Sequence, residues 1–152
     1  MKKNLKYIYS IVPVAMVAVL GSVFVGMGME WYKSLRRPSV WIPDPVIPIM
    51  WSIIYLLVVI LLIKLMGRNK LSKENKVWFI ANGILNVLWC LVFFTFKQLL
   101  LGQVIIVINL VAAYILVYKM LEIKKMYGYS LMIYPLWISV ATSLNLILWT
   151  LN

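Results

Sequence analysis

Tryptophan, tyrosine and asparagine are the residues of this chain with chemistry to offer. It holds seven tryptophans, nine tyrosines and no histidine. Its acids are Glu30, Asp44, Glu74 and Glu122, and its one cysteine is Cys90. The lack of histidine removes a histidine-ligated haem, most zinc sites and a histidine general base. Four acids leave little material for a carboxylate metal cluster or an acid–base pair, so no metal site is expected. A lone cysteine allows no internal disulfide. What remains is stacking on flat aromatic faces and hydrogen bonding through a few amides and hydroxyls.

The spacing of these residues is helical. Trp51 and Tyr55 are four apart and share one face. Asn82, Asn86, Trp89 and Phe93 follow one another at intervals of 4, 3 and 4. Tyr134, Trp137, Ala141, Asn145, Leu148 and Asn152 obey the same rule. Each stripe has a plain reading, in which asparagines bond between membrane helices and aromatics fill gaps. Depth makes the group more informative. At about 1.5 Å per residue, Trp51 lies about 10 Å below Asp44, Trp89 about 12 Å below Lys97, and Trp137 about 18 Å from Lys125 at the other end. The stripes therefore converge in the middle and one half of the bilayer. An aromatic pocket between helices, opening outward and suited to a large planar apolar ligand, follows as the expectation.

The elements that carry these stripes must be membrane helices. Of 152 residues, 64% are hydrophobic and 12% charged, whereas a soluble domain carries about 25% charge. A core this small cannot hide so much apolar surface. Uncharged runs of 23, 19, 20, 21 and 27 residues begin at Tyr7, Pro45, Val77, Gln98 and Met126. Each fits one crossing of about 20 residues, and only a helix satisfies its own backbone in lipid. The expected fold is one all-α integral membrane domain over 1–152, a five-transmembrane-helix bundle. Its spans fall at about 7–28, 46–65, 77–96, 99–119 and 128–150. The first run follows Lys2 and Lys3 like a secretory signal, but it is too long and lacks an A-x-A site, so it reads as an uncleaved helix.

Charge sets the direction. The net charge of +11 would suit nucleic acid, but the basic residues lie between apolar runs, so topology explains them and no nucleic-acid partner is expected. Eleven of the fifteen Lys and Arg fall on the side of the N-terminus. The positive-inside rule makes that side cytoplasmic and puts the C-terminus outside. With no organellar presequence, a bacterial cell membrane is the expected location. The interior of each span holds no charge, which argues against an ion-coupled pump but permits passive movement of an apolar ligand.

Four of the six prolines, Pro38, Pro43, Pro45 and Pro48, crowd into Met29–Pro48 together with Trp31, Tyr32 and Trp41. Proline fixes φ and removes a donor, so a stiff, non-helical loop over 29–46 is expected. It is either an aromatic interface belt or a lid over the pocket. Ala18, Ser22 and Gly26 form a small-xxx-small pattern, a helix seam within the chain or in a homodimer.

At this point the residues resemble the translocator protein / tryptophan-rich sensory protein family (TspO/MBR, the peripheral benzodiazepine receptor family). Trp31-Tyr32-Lys33-Ser34-Leu35-Arg36-Arg37-Pro38 resembles that family's WYxxLx[KR]P segment, and Trp51…Tyr55 its WxxxY. Asn86…Trp89 with Phe93-Phe94 resembles its NxxW…FF, and Trp137…Ala141…Leu144-Asn145 its WxxxAxxLN. There are departures. Val40 stands where the family has tryptophan, with Trp41 one residue later; Val58-Val59 replaces Met-Gly; and Pro135 follows Tyr134 instead of preceding it.

The resemblance implies a dimeric five-helix bundle with a pocket under the first loop. It implies porphyrin binding, with benzodiazepine-type synthetic ligands bound by some members, and no obligatory cofactor beyond porphyrin as ligand or substrate. It maps Trp51, Asn86, Trp89, Trp137, Ala141 and Asn145 to the pocket and Tyr32 to the lid. Tyr55 and Phe93 join them from the stripes. Light-dependent porphyrin breakdown is implied, with Trp51 and Trp137 as indole donors. A tetrapyrrole carrier and a ligand sensor are the alternatives. The cholesterol motif of mammalian relatives is missing from the terminal LNLILWTLN, so sterol is not the expected ligand.

Overall fold

The computed structural model describes residues 2–38 and 42–152, with side chains from residue 7 onward. Val40 and Trp41 of the loop, and the side chains of Lys2, Lys3 and Lys6, lie outside the described residues.

Five helical segments are long and apolar enough to cross a bilayer. Helix α1 is Lys2–Ser34, α2 is Val46–Gly67 and α3 is Lys73–Cys90, which runs on into a π-helical turn at Leu91–Thr95. Helix α4 is Leu99–Ile123. The fifth span is made of α5, Lys125–Leu131, and α6, Ile133–Leu151. The break between them has a local cause. Pro135 has no N–H, and its ring would collide with the carbonyl four residues back, that of Leu131. Met132, between α5 and α6, keeps helical backbone angles, and its N–H bonds to Tyr129 O at 3.3 Å.

The spans close into a ring. Helix α1 packs on α2 and on α3 with its π turn, α3 packs on α4, α4 on α5 and α6, and these return to α2. The main core lies inside this ring: Ile54, Leu61, Leu65, Ile106, Ala113, Leu116, Val117, Met120, Leu131 and Ile138 are all buried. At the basic end, Ser72 caps α3 by accepting the Asn75 N–H at 3.1 Å. Asn69, at φ 53°, lets the chain leave α2 in the left-handed region that asparagine tolerates.

Two expectations change. The non-helical loop was expected over 29–46, but α1 continues to Ser34. Glu30 and Lys33 mark where the charge-free run ends, yet nothing breaks the helix there. The first breaker is Pro38, and the described non-helical residues are 35–38 and 42–45. Pro45 and Pro48 sit at the start of α2, where missing N–H groups cost no internal bond. The small-residue stripe also proves not to be an internal seam. Ser22 and Gly26 are exposed, and a Cβ at Gly26 would meet nothing within 4 Å. The glycines of α1 that face the bundle are Gly21, near Cys90, and Gly28, against the backbone of Phe94.

Candidate functional site

The candidate residues form two neighbouring groups rather than one. Helix α2 carries Trp51 and Tyr55, whose rings stack at 5.7 Å and 27°. The Trp51 ring meets the ring of Tyr134 on the fifth span edge-on, at 6.5 Å and 65°. Trp137 is buried one turn further along, and half-buried Trp51, Trp89 and Ala141 pack against this cluster. The indole N–H of Trp137 is buried and has no hydrogen-bond partner.

A polar ring lies beside these indoles. Asn86 Nδ2 donates to the Tyr134 hydroxyl at 2.7 Å, that hydroxyl donates to Asn109 Oδ1 at 3.4 Å, and Asn109 Nδ2 donates to Asn86 Oδ1 at 3.1 Å. The second N–H of Asn86 goes to Asn82 O at 3.1 Å, and Asn82 Nδ2 donates to Trp78 O and Ala112 O. Nearer the loop end, Trp89 Nε1 donates to Asn145 Oδ1 at 3.2 Å, and Asn145 Nδ2 donates to Leu99 O at 3.1 Å. Both expected pocket asparagines thus spend their amide N–H groups on the protein. Buried amides in lipid must do so or leave a polar group unsatisfied.

The second group surrounds Tyr32 and Phe93. Both are buried with Phe94 and Leu148, and Trp31 and Trp89 pack against them. Trp89 stacks on Phe93 at 5.3 Å and 23°, and among the described residues it is the one aromatic shared by both groups. Tyr32 was expected on the lid. It is instead the last inward-facing ring of α1, because the helix carries it past the end of the charge-free run. Phe93 was expected among the ligand-facing residues. It lies in the π turn, which adds a residue to the helical turn and buries Val92, Phe93 and Phe94 in succession.

The loop is tied down over this second group. Arg37 sits 4.3 Å above the Tyr32 ring, bonds Tyr32 O at 3.1 Å and pairs with Asp44 at 3.1 Å. Arg36 N–H donates to Asn152 Oδ1 at 2.9 Å, and Asn152 Nδ2 donates back to Arg36 O at 3.2 Å. The loop is therefore pinned to both α1 and the end of α6.

An open pocket was expected beneath the loop. The aromatic centre is instead closed: Tyr134 is 4% exposed, Trp137 7% and Asn145 2%. Shallow hollows lie on the outer side of α1. One of about 410 Å³ sits between α1 and α2 and is lined by aliphatic side chains and Tyr55; another of about 380 Å³ is lined by Ala18, Val19, Ser22 and Val23. Among the described residues no cluster of three metal-binding side chains occurs.

Asn109 is the residue that sequence spacing passed over. It has no aromatic neighbour in its stripe. The signal was there in another form: Gly102, Ile106, Asn109, Ala113 and Leu116 recur every three to four residues, and all are buried.

The frame of aromatics and amides on these spans coincides with a known sequence pattern. That of the TspO/MBR family matches residues 10–150. The chain belongs to the TspO/MBR family. Similar proteins include protein CrtK of Rhodobacter capsulatus, 28% identical over 126 residues, covering 80% of this chain and 78% of that protein. Tryptophan-rich protein TspO of Chlorobaculum tepidum is 29% identical over 140 residues, covering 90% and 89%. Tryptophan-rich protein TspO of Archaeoglobus fulgidus is 29% identical over 154 residues, covering 97% of each. As a TspO/MBR protein the chain is a multi-pass membrane protein built on five helices.

Proposed function

We propose that this TspO/MBR protein binds a flat tetrapyrrole such as protoporphyrin at the Trp51–Tyr55–Trp89–Trp137 group and promotes its light-dependent oxidative breakdown, with dioxygen as the oxidant. The observation that carries this reading is the Trp137 indole N–H, buried in the aromatic cluster without an acceptor. Leaving such a donor unpaired costs about 1–3 kcal/mol. A ligand that brings a ring nitrogen or carboxylate oxygen to it recovers that cost and gains stacking area. The closed centre must part to admit the ligand, so binding includes a side-chain rearrangement. The bound porphyrin absorbs the light and carries the chemistry; the protein holds it among indoles and excludes water.

The test is one titration of purified protein with protoporphyrin, in the dark and under light. Saturable quenching of tryptophan fluorescence in the dark is expected, then loss of porphyrin absorption and new product bands under light. Binding without bleaching would reduce the protein to a receptor or carrier. No quenching at all would sink the reading.

The basic end belongs in the cytoplasm under the positive-inside rule, in a bacterial cell membrane. A reporter fused after Asn152 is then expected to work only if it is active outside; one active only in the cytoplasm would reverse the orientation.

A further inference from the structure

We infer that Asn109 is the positioning residue of the aromatic site, holding the Tyr134 hydroxyl and the Asn86 amide in a closed ring and through Tyr134 setting the pose of Trp51. Asn109 is 1% exposed, in the middle of α4. Its two amide atoms reach two other spans: Nδ2 to Asn86 on α3 at 3.1 Å, and Oδ1 to Tyr134 on the fifth at 3.4 Å. Asn86 Nδ2 closes the ring onto Tyr134 at 2.7 Å.

The ring has a direction. An amide nitrogen can only donate, so the Tyr134 oxygen accepts from Asn86 and must turn its own hydrogen toward Asn109. Asn109 therefore supplies the acceptor that fixes the Tyr134 hydroxyl. Without it the hydroxyl hydrogen has no acceptor, and the Tyr134 ring keeps only the Asn86 bond of the two tethers that hold its plane. The plane matters because Tyr134 meets Trp51 edge-on at 65°, a contact whose strength depends on angle. Asn86 has both amide hydrogens engaged, on Tyr134 and on Asn82 O. Asn86 and Tyr134 thus brace the site rather than donate to a ligand.

The ligand part of this inference rests on the tetrapyrrole reading, so the test has two readouts. The first is near-UV circular dichroism of the ligand-free protein, where the tryptophan bands report the pose of Trp51. Asn109→Leu, which keeps the branched four-atom shape and removes both bonds, is expected to change those bands, as is Tyr134→Phe. Adding Asn109→Leu to Tyr134→Phe is expected to change them little further. The second is protoporphyrin affinity by fluorescence quenching. Each single change is expected to weaken it by about threefold, and the pair by about the same threefold rather than ninefold, because both act on one contact. Asn109→Asp, as the neutral carboxylic acid, keeps the shape, an acceptor for Tyr134 and an O–H donor for Asn86, and is expected to retain most of the affinity. Multiplied losses in the double variant, or dichroism unchanged by Asn109→Leu, would overturn the inference. If the parent protein binds no protoporphyrin, the tetrapyrrole reading fails and the dichroism cycle still decides the role of Asn109.

Discussion

Gly28→Ala is expected to destabilise the bundle by about 3 kcal/mol, the upper end of what overpacking one buried position costs. A Cβ at Gly28 would overlap the carbonyl group and Cα of Phe94. A flexible side chain could swing away from such a clash, but backbone cannot. The neighbouring Thr95 hydroxyl donates to Phe24 O at 3.3 Å, so α1 and the π turn are held close at this level. Relief requires α1 to move off the turn, which also loosens Tyr32 from Phe93 and Phe94. Gly26→Ala is the internal control. It lies two residues earlier on the same helix and faces open space. There the methyl is expected to be neutral or to stabilise by up to about 1 kcal/mol, the helix preference of alanine over glycine. Denaturation of both variants in detergent micelles checks the pair. Equal midpoints would show that α1 does not seat on the Phe94 backbone.

The contrast between these two glycines shows where sequence reading stops. Charge gaps counted five spans, because a charge inside hydrocarbon is costly, and five helices are long and apolar enough to cross. The same rule misplaced the end of α1. A charged residue marks where lipid ends, whereas a helix stops only where its hydrogen bonds do. Glu30 and Lys33 lie beyond the charge-free run and are still helical. Helical spacing likewise placed Trp51 with Tyr55 on one face, and their rings stack. It could not say that Phe93 joins Tyr32 while Trp137 joins Tyr134. Spacing reports a face of one helix, and the neighbour across that face is a matter of how helices pack. The π turn adds a further shift, because Leu91–Thr95 has no residue type that announces it. Asn109 escaped for a related reason. Its partners lie 23 and 25 residues away, and only the folded ring brings them together.

Once the two aromatic groups are separated, they suit different tasks. The Tyr32–Phe93 group is fastened from above by Arg37 and Asn152; Phe93 packs edge to face on Phe94, and Tyr32 is tilted on it at 51°. It behaves as a fixed wall. The Trp51–Trp137 group has an unpartnered indole donor and borders the hollow between α1 and α2 through Tyr55. A ligand would gain more from the Trp51–Trp137 group, because there a buried donor has no acceptor. Trp89, stacked on Phe93 and bonded to Asn145, couples the two.

That separation sets the expected outcome of replacing the indoles. With Trp51→Phe and Trp137→Phe combined, light-driven bleaching per bound porphyrin is expected to fall at least tenfold. Phenylalanine keeps an aromatic face, so stacking survives in large part. It has no N–H and gives up an electron far less readily than indole, so a step that draws an electron or hydrogen from the protein is lost. The single variants are expected to differ. Trp137→Phe removes the unpaired donor, and dark affinity is expected to drop by a factor of about 2 to 10, the worth of one net hydrogen bond. Trp51→Phe is expected to leave dark affinity within about threefold, since its main contacts are the stack on Tyr55 and the edge of Tyr134. Trp149→Phe serves as the control: Trp149 is 42% exposed and packs in neither group, and its replacement is expected to change neither quantity. Dark affinity by fluorescence quenching and bleaching rates at matched occupancy separate the two effects. A double variant that bleaches bound porphyrin at the parent rate would show that the indoles hold the ligand and take no part in its destruction.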